Sequence, residues 1–264
     1  AYADGKFYLT SWEYGSSYQG HAYCVDAATG KQIWHTNNVV ESFCGSPAYK
    51  DGILYLTTYS FYGKGDLLAL NAVDGKIIWR QTIERSDSTP AFAYGNVYVC
   101  GGASGYSNLQ TYCFNATTGS PVWSTPSKTI DTGGIGGWTC SVAVADGLVY
   151  VGSEGSGYFG YENLYALDAF TGDIVWHAPY AGSSPALSDG MLFSIGGDQK
   201  VYAFKDSSIS PVANFTVNVT SGTAPLDVQF TDASTGAVSS YAWDFNNDGI
   251  IDSTEQSPSY TYGT

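Results

Sequence analysis

Basic residues are scarce in this chain: 10 Lys and Arg stand against 24 Asp and Glu, for a formal net charge of −14. Nucleic acid and anionic membrane both demand clustered cations, so the composition speaks against either as a partner. An acidic surface suits divalent cations, high salt or plain solubility. No run of 18 or more apolar residues is present to span a bilayer as a helix. Cys-x-x-Cys pairs and Cys/His clusters are absent, which excludes the common zinc patterns. His21, His35 and His177 are scattered, two of them directly after a Trp, and read as exposed strand-end residues. There is no Gly-x-Ser-x-Gly elbow. The lone Gly155-Ser-Gly157-Tyr-Phe-Gly160 leads into a strand, so no helix N-terminus follows it to cradle a phosphate.

What is abundant is Tyr (22), Phe (12), Trp (7) and Gly (32), a mixture that favours twisted strands joined by tight turns. A repeat organises them. Thr29-Gly30-Lys-Gln-Ile-Trp34 recurs as Asp74-Gly75-Lys-Ile-Ile-Trp79, Thr118-Gly119-Ser-Pro-Val-Trp123 and Thr171-Gly172-Asp-Ile-Val-Trp176. Each copy follows an alternating strand ending in Asp or Asn, at Asp26, Asn71, Asn115 and Asp168, and Val201–Phe204 is a fifth such strand without the Gly-Trp continuation. Upstream of each lies another strand led by a small turn, at Asp4-Gly5, Asp51-Gly52, Gly95-Asn96, Asp146-Gly147 and Asp189-Gly190. Pro47-Ala48, Pro90-Ala91, Val142-Ala143 and Pro185-Ala186 open the later units.

Four short strands per unit describe an all-β chain built as a β-propeller of four-stranded blades, about five of them visible over residues 1–206. Trp34, Trp79, Trp123 and Trp176 then act as packing wedges between blades, the alternative being ligand stacking. By this count the first blade lacks its inner strand and the last its outer strand. The expectation is a chain incomplete at both ends, as a fragment of a longer polypeptide or as a subunit completed by strands from a neighbour.

These units resemble the quinoprotein-like (PQQ-like) β-propeller repeat, with its Asp-Gly-x-x-Tyr, Leu-Tyr-Ala-Leu-Asp-Ala and Thr-Gly-Lys-x-x-Trp strands. The resemblance is specific for fold but not for activity, since members range from quinone-dependent alcohol dehydrogenases to scaffolds without a cofactor. The dehydrogenases need an eight-bladed ring with the quinone and calcium at its centre. Gly133-Gly-Ile-Gly-Gly-Trp138 could line such a channel, and a flexible top loop is the plainer account.

After a polar linker, residues 211–264 carry three more alternating segments, Asn214–Val219, Leu226–Thr231 and Tyr241–Phe245. Through Ala224-Pro-Leu226, Phe230-Thr-Asp232, Trp243-Asp-Phe245, Ser257-Pro258 and Tyr260-Thr-Tyr262 this tail resembles a PKD domain, an Ig-like β-sandwich, short of its last strand. Propeller repeats joined to PKD domains resemble archaeal surface-layer and cell-surface proteins.

The sharpest local motif is Asp244-Phe-Asn246-Asn-Asp248-Gly249-Ile250-Ile-Asp252-Ser-Thr-Glu255, with oxygen donors at the spacing of a calcium loop. Structural Ca²⁺ is expected on the side chains of Asp244, Asn246, Asp248 and Glu255 and the carbonyl of Ile250, with Asp252 direct or through water. A polar hairpin that needs no metal is the competing account. Asn115, Asn214 and Asn218 begin Asn-x-Ser/Thr triplets and are candidate glycosylation sites in a secreted chain. Cys100 and Cys113 fall on the central strands of one blade and are either a disulfide or two small buried thiols, while the pairing of Cys24, Cys44 and Cys140 stays undetermined.

The reading is a non-catalytic, extracellular or cell-surface protein, structural or adhesive, as in a surface layer, sheath or filament. Its partners are copies of itself, other surface proteins or glycans. The alternative is a binding module whose Tyr-rich loops (Tyr59, Phe61, Tyr62; Tyr158, Phe159, Tyr161) hold a glycan or a protein. A quinone-dependent dehydrogenase fragment stands third.

Overall fold

A computed structural model describes residues 1–12, 20–36, 42–60, 63–155, 160–205, 213–235, 238 and 240–263. The chain divides into two compact units, Ala1–Phe204 and Lys205–Thr264.

The first unit is five antiparallel sheets in chain order. Blade 1 is β1 (Tyr2–Ala3), β2 (Lys6–Thr10), β3 (Ala22–Asp26) and β4 (Gln32–His35). Blade 2 is β5 (Ala48–Lys50), β6 (Ile53–Thr57), β7 (Gly65–Asn71) and β8 (Ile77–Ile83). Blade 3 is β9 (Ala91–Ala93), β10 (Asn96–Gly101), β11 (Gln110–Asn115) and β12 (Pro121–Ser124), and blade 4 is β13 (Ala143–Ala145), β14 (Leu148–Glu154), β15 (Tyr161–Asp168) and β16 (Ile174–Ala178). The fifth sheet has three strands among the described residues: β17 (Ala186–Ser188), β18 (Met191–Ile195) and β19 (Val201–Lys205). No described sheet closes on itself. One expectation needs correction here, because blade 1 does have an inner strand: Tyr2 and Ala3 pair with Phe7 and Lys6.

One cross-strand row repeats in every blade. Tyr8, Cys24 and Trp34 lie side by side, as do Tyr55, Ala69 and Trp79, then Tyr98, Cys113 and Trp123, then Tyr150, Ala166 and Trp176. The middle residue is small, so the Tyr and Trp rings approach over it, to 6.2 Å in blade 1 and 6.0 Å in blades 2 and 3. A register shift follows the small residue each time and leads into the turn. That turn is closed by an Asp or Asn side chain; Asp26 Oδ1, for example, accepts from the amides of Ala28 and Thr29.

The rows join one blade to the next. Trp34 Nε1 donates to Ala72 O at 3.1 Å. Tyr55 Oη and Trp79 Nε1 both donate to Ala116 O, at 3.2 and 3.0 Å, and Tyr98 Oη and Trp123 Nε1 both donate to Ala169 O, at 3.1 and 2.9 Å. Glycine is required beneath Trp34, Trp79 and Trp123. A Cβ on Gly119 would meet the Trp79 ring at 2.7 Å, and its φ of +72° is left-handed. Trp176 differs, since it is 38 % exposed and its ring meets Phe204 of the fifth sheet edge-on, at 5.1 Å.

Because each central strand faces two neighbours, its alternate residues enter different cores. Leu68 and Leu70 pack toward blade 1, whereas Leu67 and Ala69 pack toward blade 3. The hydrophobic core of this unit is thus a series of interblade layers.

The second unit contains one antiparallel sheet, β20 (Phe215–Val217), β21 (Leu226–Asp232) and β22 (Ser259–Tyr262), with β21 central. A two-sheet PKD sandwich is not formed among the described residues. The expected strand at Tyr241–Phe245 contributes a single bridge, Trp243 with Ser253, and its rings pack on Phe215 and Phe230 instead of extending a second sheet.

Candidate functional site

The strongest convergence of polar chemistry in the first unit lies where β8 ends. β8 has seven residues, against four in β4 and β12 and five in β16, and the extension carries Glu84, Arg85, Ser86 and Asp87 onward into the chain leading to blade 3. The backbone is pinned there: Gly102 N donates to Arg85 O at 3.0 Å, and Asp87 N to Trp138 O at 2.9 Å. Ser86 Oγ donates to Cys100 O at 2.7 Å, and Ser88 Oγ to Cys140 O at 2.5 Å.

Arg85 is 3 % exposed and lies between two rings, 5.2 Å from the Tyr106 centroid and 5.1 Å from that of Trp138. Trp138 in turn stacks on Tyr59 at 5.1 Å and 15°. A desolvated guanidinium against aromatic faces gains about 2 kcal/mol. The compensating charge is Glu154, 1 % exposed, which accepts from Trp138 N at 3.2 Å and Ser104 N at 3.3 Å. Burial pushes its carboxyl above the usual range, while those amides and the Arg85 charge pull it back. Burial also raises Asp87, against the pull of the Trp138 indole, the Cys44 thiol and Arg85.

Beside this stack opens a cleft of about 480 Å³ lined by Gly63, Lys64, Glu84, Arg85, Tyr106, Ser107 and Asn108. Lys64 Nζ lies 3.5 Å from Glu84 Oε1. The arrangement combines a fixed cation, a carboxyl of raised pKa and an open polar cleft, which is the equipment of a binding site and of proton holding. Sequence reasoning missed Arg85, Glu154 and Asp87, and gave Trp138 a place in a top loop or a channel lining. A usable signal was Glu84-Arg-Ser-Asp-Ser88, a charged run where the repeat calls for none.

The residues singled out from sequence lie elsewhere. Cys100 and Cys113 are free thiols, so of the two alternatives the bridge is not formed. On adjacent strands they are offset by two positions, Cys100 opposite Thr111 and Cys113 opposite Tyr98, so their side chains do not face each other. Cys100 Sγ instead donates to Cys140 O at 2.6 Å. Asn115 serves the hairpin turn, its Oδ1 accepting from Thr117 N and Thr118 N, whereas Asn214 and Asn218 flank β20 and are exposed. Tyr59 is buried against Trp138 and does not offer an open face to a ligand; Tyr161 donates to or accepts from Thr139 Oγ1 at 2.8 Å. Phe61, Tyr62, Tyr158 and Phe159 lie outside the described residues.

In the second unit, Asp244 accepts from Asp248 N and Gly249 N, Asn246 Oδ1 from Asp248 N, Asp248 Oδ1 from Ile250 N, and Asp252 from Phe245 N. These bonds lower the pKa of Asp244 and spend its oxygens on amides. Glu255 engages through its main chain, accepting from Trp243 Nε1 at 2.8 Å. Among the described residues no three His, Cys, Asp or Glu side chains come together as metal ligands.

A family model described as outer membrane protein assembly factor BamB matches residues 18–111 and 110–210. The chain belongs to this family. It is 26 % identical over 205 residues to BamB of Yersinia pestis, covering 73 % of this chain and 48 % of that protein. It is also 27 % identical over 213 residues to a tetrathionate hydrolase of Acidithiobacillus ferrooxidans, covering 68 % of this chain and 39 % of the relative. The chain thus spans about half or less of the curated relatives it matches. Among solved structures, BamB of Moraxella catarrhalis superposes with a TM-score of 0.50 at 16 % identity, over 89 % of this chain and 70 % of that one. The quinohemoprotein alcohol dehydrogenase of Comamonas testosteroni gives 0.57 at 16 %, over 94 % and 44 %. Both likenesses are of fold.

These relatives correct two expectations. They include a tetrathionate hydrolase and a quinoprotein ethanol dehydrogenase, so the non-catalytic reading no longer holds. They are bacterial envelope-assembly factors and enzymes, and lend no support to a surface-layer role. No helix among the described residues is long and apolar enough to cross a membrane. A quinone centre does not fit what is described: Trp138, the aromatic residue of the glycine-rich segment, packs on Tyr59 and Arg85, and no ligand set for an accompanying metal converges.

Proposed function

We propose that this chain is a partner-docking propeller of the cell envelope, a rigid scaffold that another protein engages through the loops between strands. The observation that carries the reading is the family match over residues 18–111 and 110–210. Two features support it physically. The Tyr and Trp bonds across the boundaries from blade 1 to blade 4 hold the loops on a stiff frame, which lowers the ordering cost of docking. The net charge of −14 speeds encounter with a basic partner surface. Photo-crosslinkers placed in living cells at loop residue Ser107 and outer-strand residue Val122 test it. Adducts with one envelope protein from Ser107 alone are expected; adducts from Val122 alone, or from neither, overturn it.

A second reading, catalysis, is favoured by the identity with tetrathionate hydrolase. Glu154, whose carboxyl is raised above the usual range by burial and whose oxygens accept from Ser104 N and Trp138 N, is its proton-holding group. Turnover of tetrathionate by the purified chain, lost in Glu154→Gln, is the expected result under that reading, and no turnover in the unaltered chain rejects it. For the second unit, the tail's PKD-like character and a structural Ca²⁺ on the loop from Asp244 to Glu255 are part of the same proposal. What supports the ion is the donor spacing, with Gly249 in the left-handed region at the sharp turn.

A further inference from the structure

The docking reading touches the cleft beside Arg85 only at Ser107 on its rim, and the chemistry of the cleft is selective. Charge decides first. Lys64 stands 3.5 Å from Glu84, and the Arg85 guanidinium, 3 % exposed, acts on two buried carboxyls behind the wall, Glu154 and Asp87, so neither cation of the walls is left uncompensated. An anion would approach against the field of a chain carrying −14, and for a cation the walls offer one carboxylate, Glu84, which Lys64 already neutralises. A neutral ligand is left.

The lining specifies more. Tyr106 is 66 % exposed, yet its ring is fixed by Arg85 at 5.2 Å, and its loop is closed by Tyr106 N and Ser107 N, both donating to Ala103 O at 2.9 Å. Around it stand a hydroxyl, an amide, an ammonium and a carboxylate, from Ser107, Asn108, Lys64 and Glu84. Asn108 Nδ2 donates to Ser127 Oγ at 3.2 Å, which fixes the amide plane. Ser107 Oγ accepts from Ala103 N at 2.9 Å and keeps its own proton to donate. An aromatic platform ringed by donors and acceptors without net charge is complementary to a pyranose, whose C–H face is apolar and whose rim is hydroxyls. A volume of about 480 Å³ falls in the range of small-molecule sites and admits one or two sugar rings.

We propose that this cleft binds a neutral saccharide, with Tyr106 as platform and Glu84, Lys64, Ser107 and Asn108 as the hydroxyl-reading groups. The site stands apart from the docking proposal, because a crosslinked protein and a sugar isotherm are separate readouts. Calorimetric titration of the full chain with maltose, cellobiose and N,N′-diacetylchitobiose tests it, with glucuronate and inorganic phosphate run alongside. At least one neutral disaccharide should bind with a Kd of roughly 0.1 to 10 mM, the range for a small ligand in an open cleft. Tyr106→Ala should weaken that binding about tenfold or more, Asn108→Ala severalfold, and Tyr106→Phe less than about threefold, as expected when the ring face carries the contact. Near-ultraviolet circular dichroism checks that each variant is folded, and Asn108→Ala carries the test if Tyr106→Ala is not. No heat with any neutral disaccharide at about 100 mM, tenfold beyond that Kd range, overturns the proposal. So does binding that ignores the folded variants, or a site that takes phosphate or glucuronate in preference.

Discussion

Trp79 and Trp176 occupy the same repeat position, so truncating each to alanine separates the value of a blade boundary from the value of a tryptophan. Trp79 is 9 % exposed and Trp176 38 %. On a side chain of about 250 Å², that difference leaves about 70 Å² more buried at Trp79, or about 2 kcal/mol at 25 cal/mol per Å². Trp79 also loses its bond to Ala116 O, worth about 1 kcal/mol net. The acceptor is not orphaned, because Tyr55 Oη still donates to it at 3.2 Å, and this keeps the penalty from growing further. Trp79→Ala should therefore cost about 4 to 5 kcal/mol, near the top of the range for large aromatics, and Trp176→Ala about 2. Urea unfolding followed by far-ultraviolet circular dichroism reads both as midpoint shifts at unchanged slope. Trp79→Phe, which keeps most of the area but not the donor, should fall between them. Equal costs for the two alanine variants would refute the view that the wedge stabilises through its bond and burial across the boundary.

Three further outcomes follow from the same geometry. Denatured, unreduced protein treated with an alkylating reagent should be labelled at both Cys100 and Cys113, since the register offsets them; a peptide pair linked through them would contradict the register. Glu154 has a folded-state pKa above its unfolded value, so the folded state holds more protons and stability falls as pH rises between the two. Arg85→Gln widens that window: it should destabilise by about 3 kcal/mol at neutral pH and recover part of the loss on acidification to about pH 5, and a loss independent of pH would count against the pairing. Calcium should raise the melting temperature of the second unit within the full chain and a chelator should lower it, both effects vanishing in Asp244→Ala; identical melting with and without the ion rejects the site.

The blades were legible because their causes are local and repeated. A Gly that must lie under a ring, an Asp or Asn that closes a turn and a Trp that spans a boundary recur at one spacing, and each is needed wherever the fold repeats. Less legible were features that depend on register. β1 has only two residues and no Pro-Ala signature, so it was passed over, although Tyr2-Ala-Asp-Gly5 has the same form as Tyr49-Lys-Asp-Gly52. Cys100 and Cys113 looked opposed until the pairing of Asn96 with Asn115 fixed the count and set them two residues apart. In the second unit, Trp243 and Phe245 alternate like a strand, but that pattern serves an aromatic cluster around Phe230 equally well.

The site around Arg85 was hidden for the opposite reason, because it is built from what the repeat does not contain. Its members come from the end of β8, the β10–β11 loop, the chain before β13 and the end of β14, and no single stretch of sequence shows them together. Each alone has an ordinary account: Arg85 as a solvated charge, Trp138 as loop filler, Glu154 as a strand-end carboxylate. What distinguishes them is that burial is costly for two of the three, and that cost is tolerable only if each offsets the other. A repeat protein keeps its consensus wherever packing is the only demand, so buried charges at the ends of β8 and β14 that the repeat does not call for mark a demand peculiar to that place. Here the open cleft with Tyr106 and Asn108 on its rim is the feature next to it that such a demand can serve.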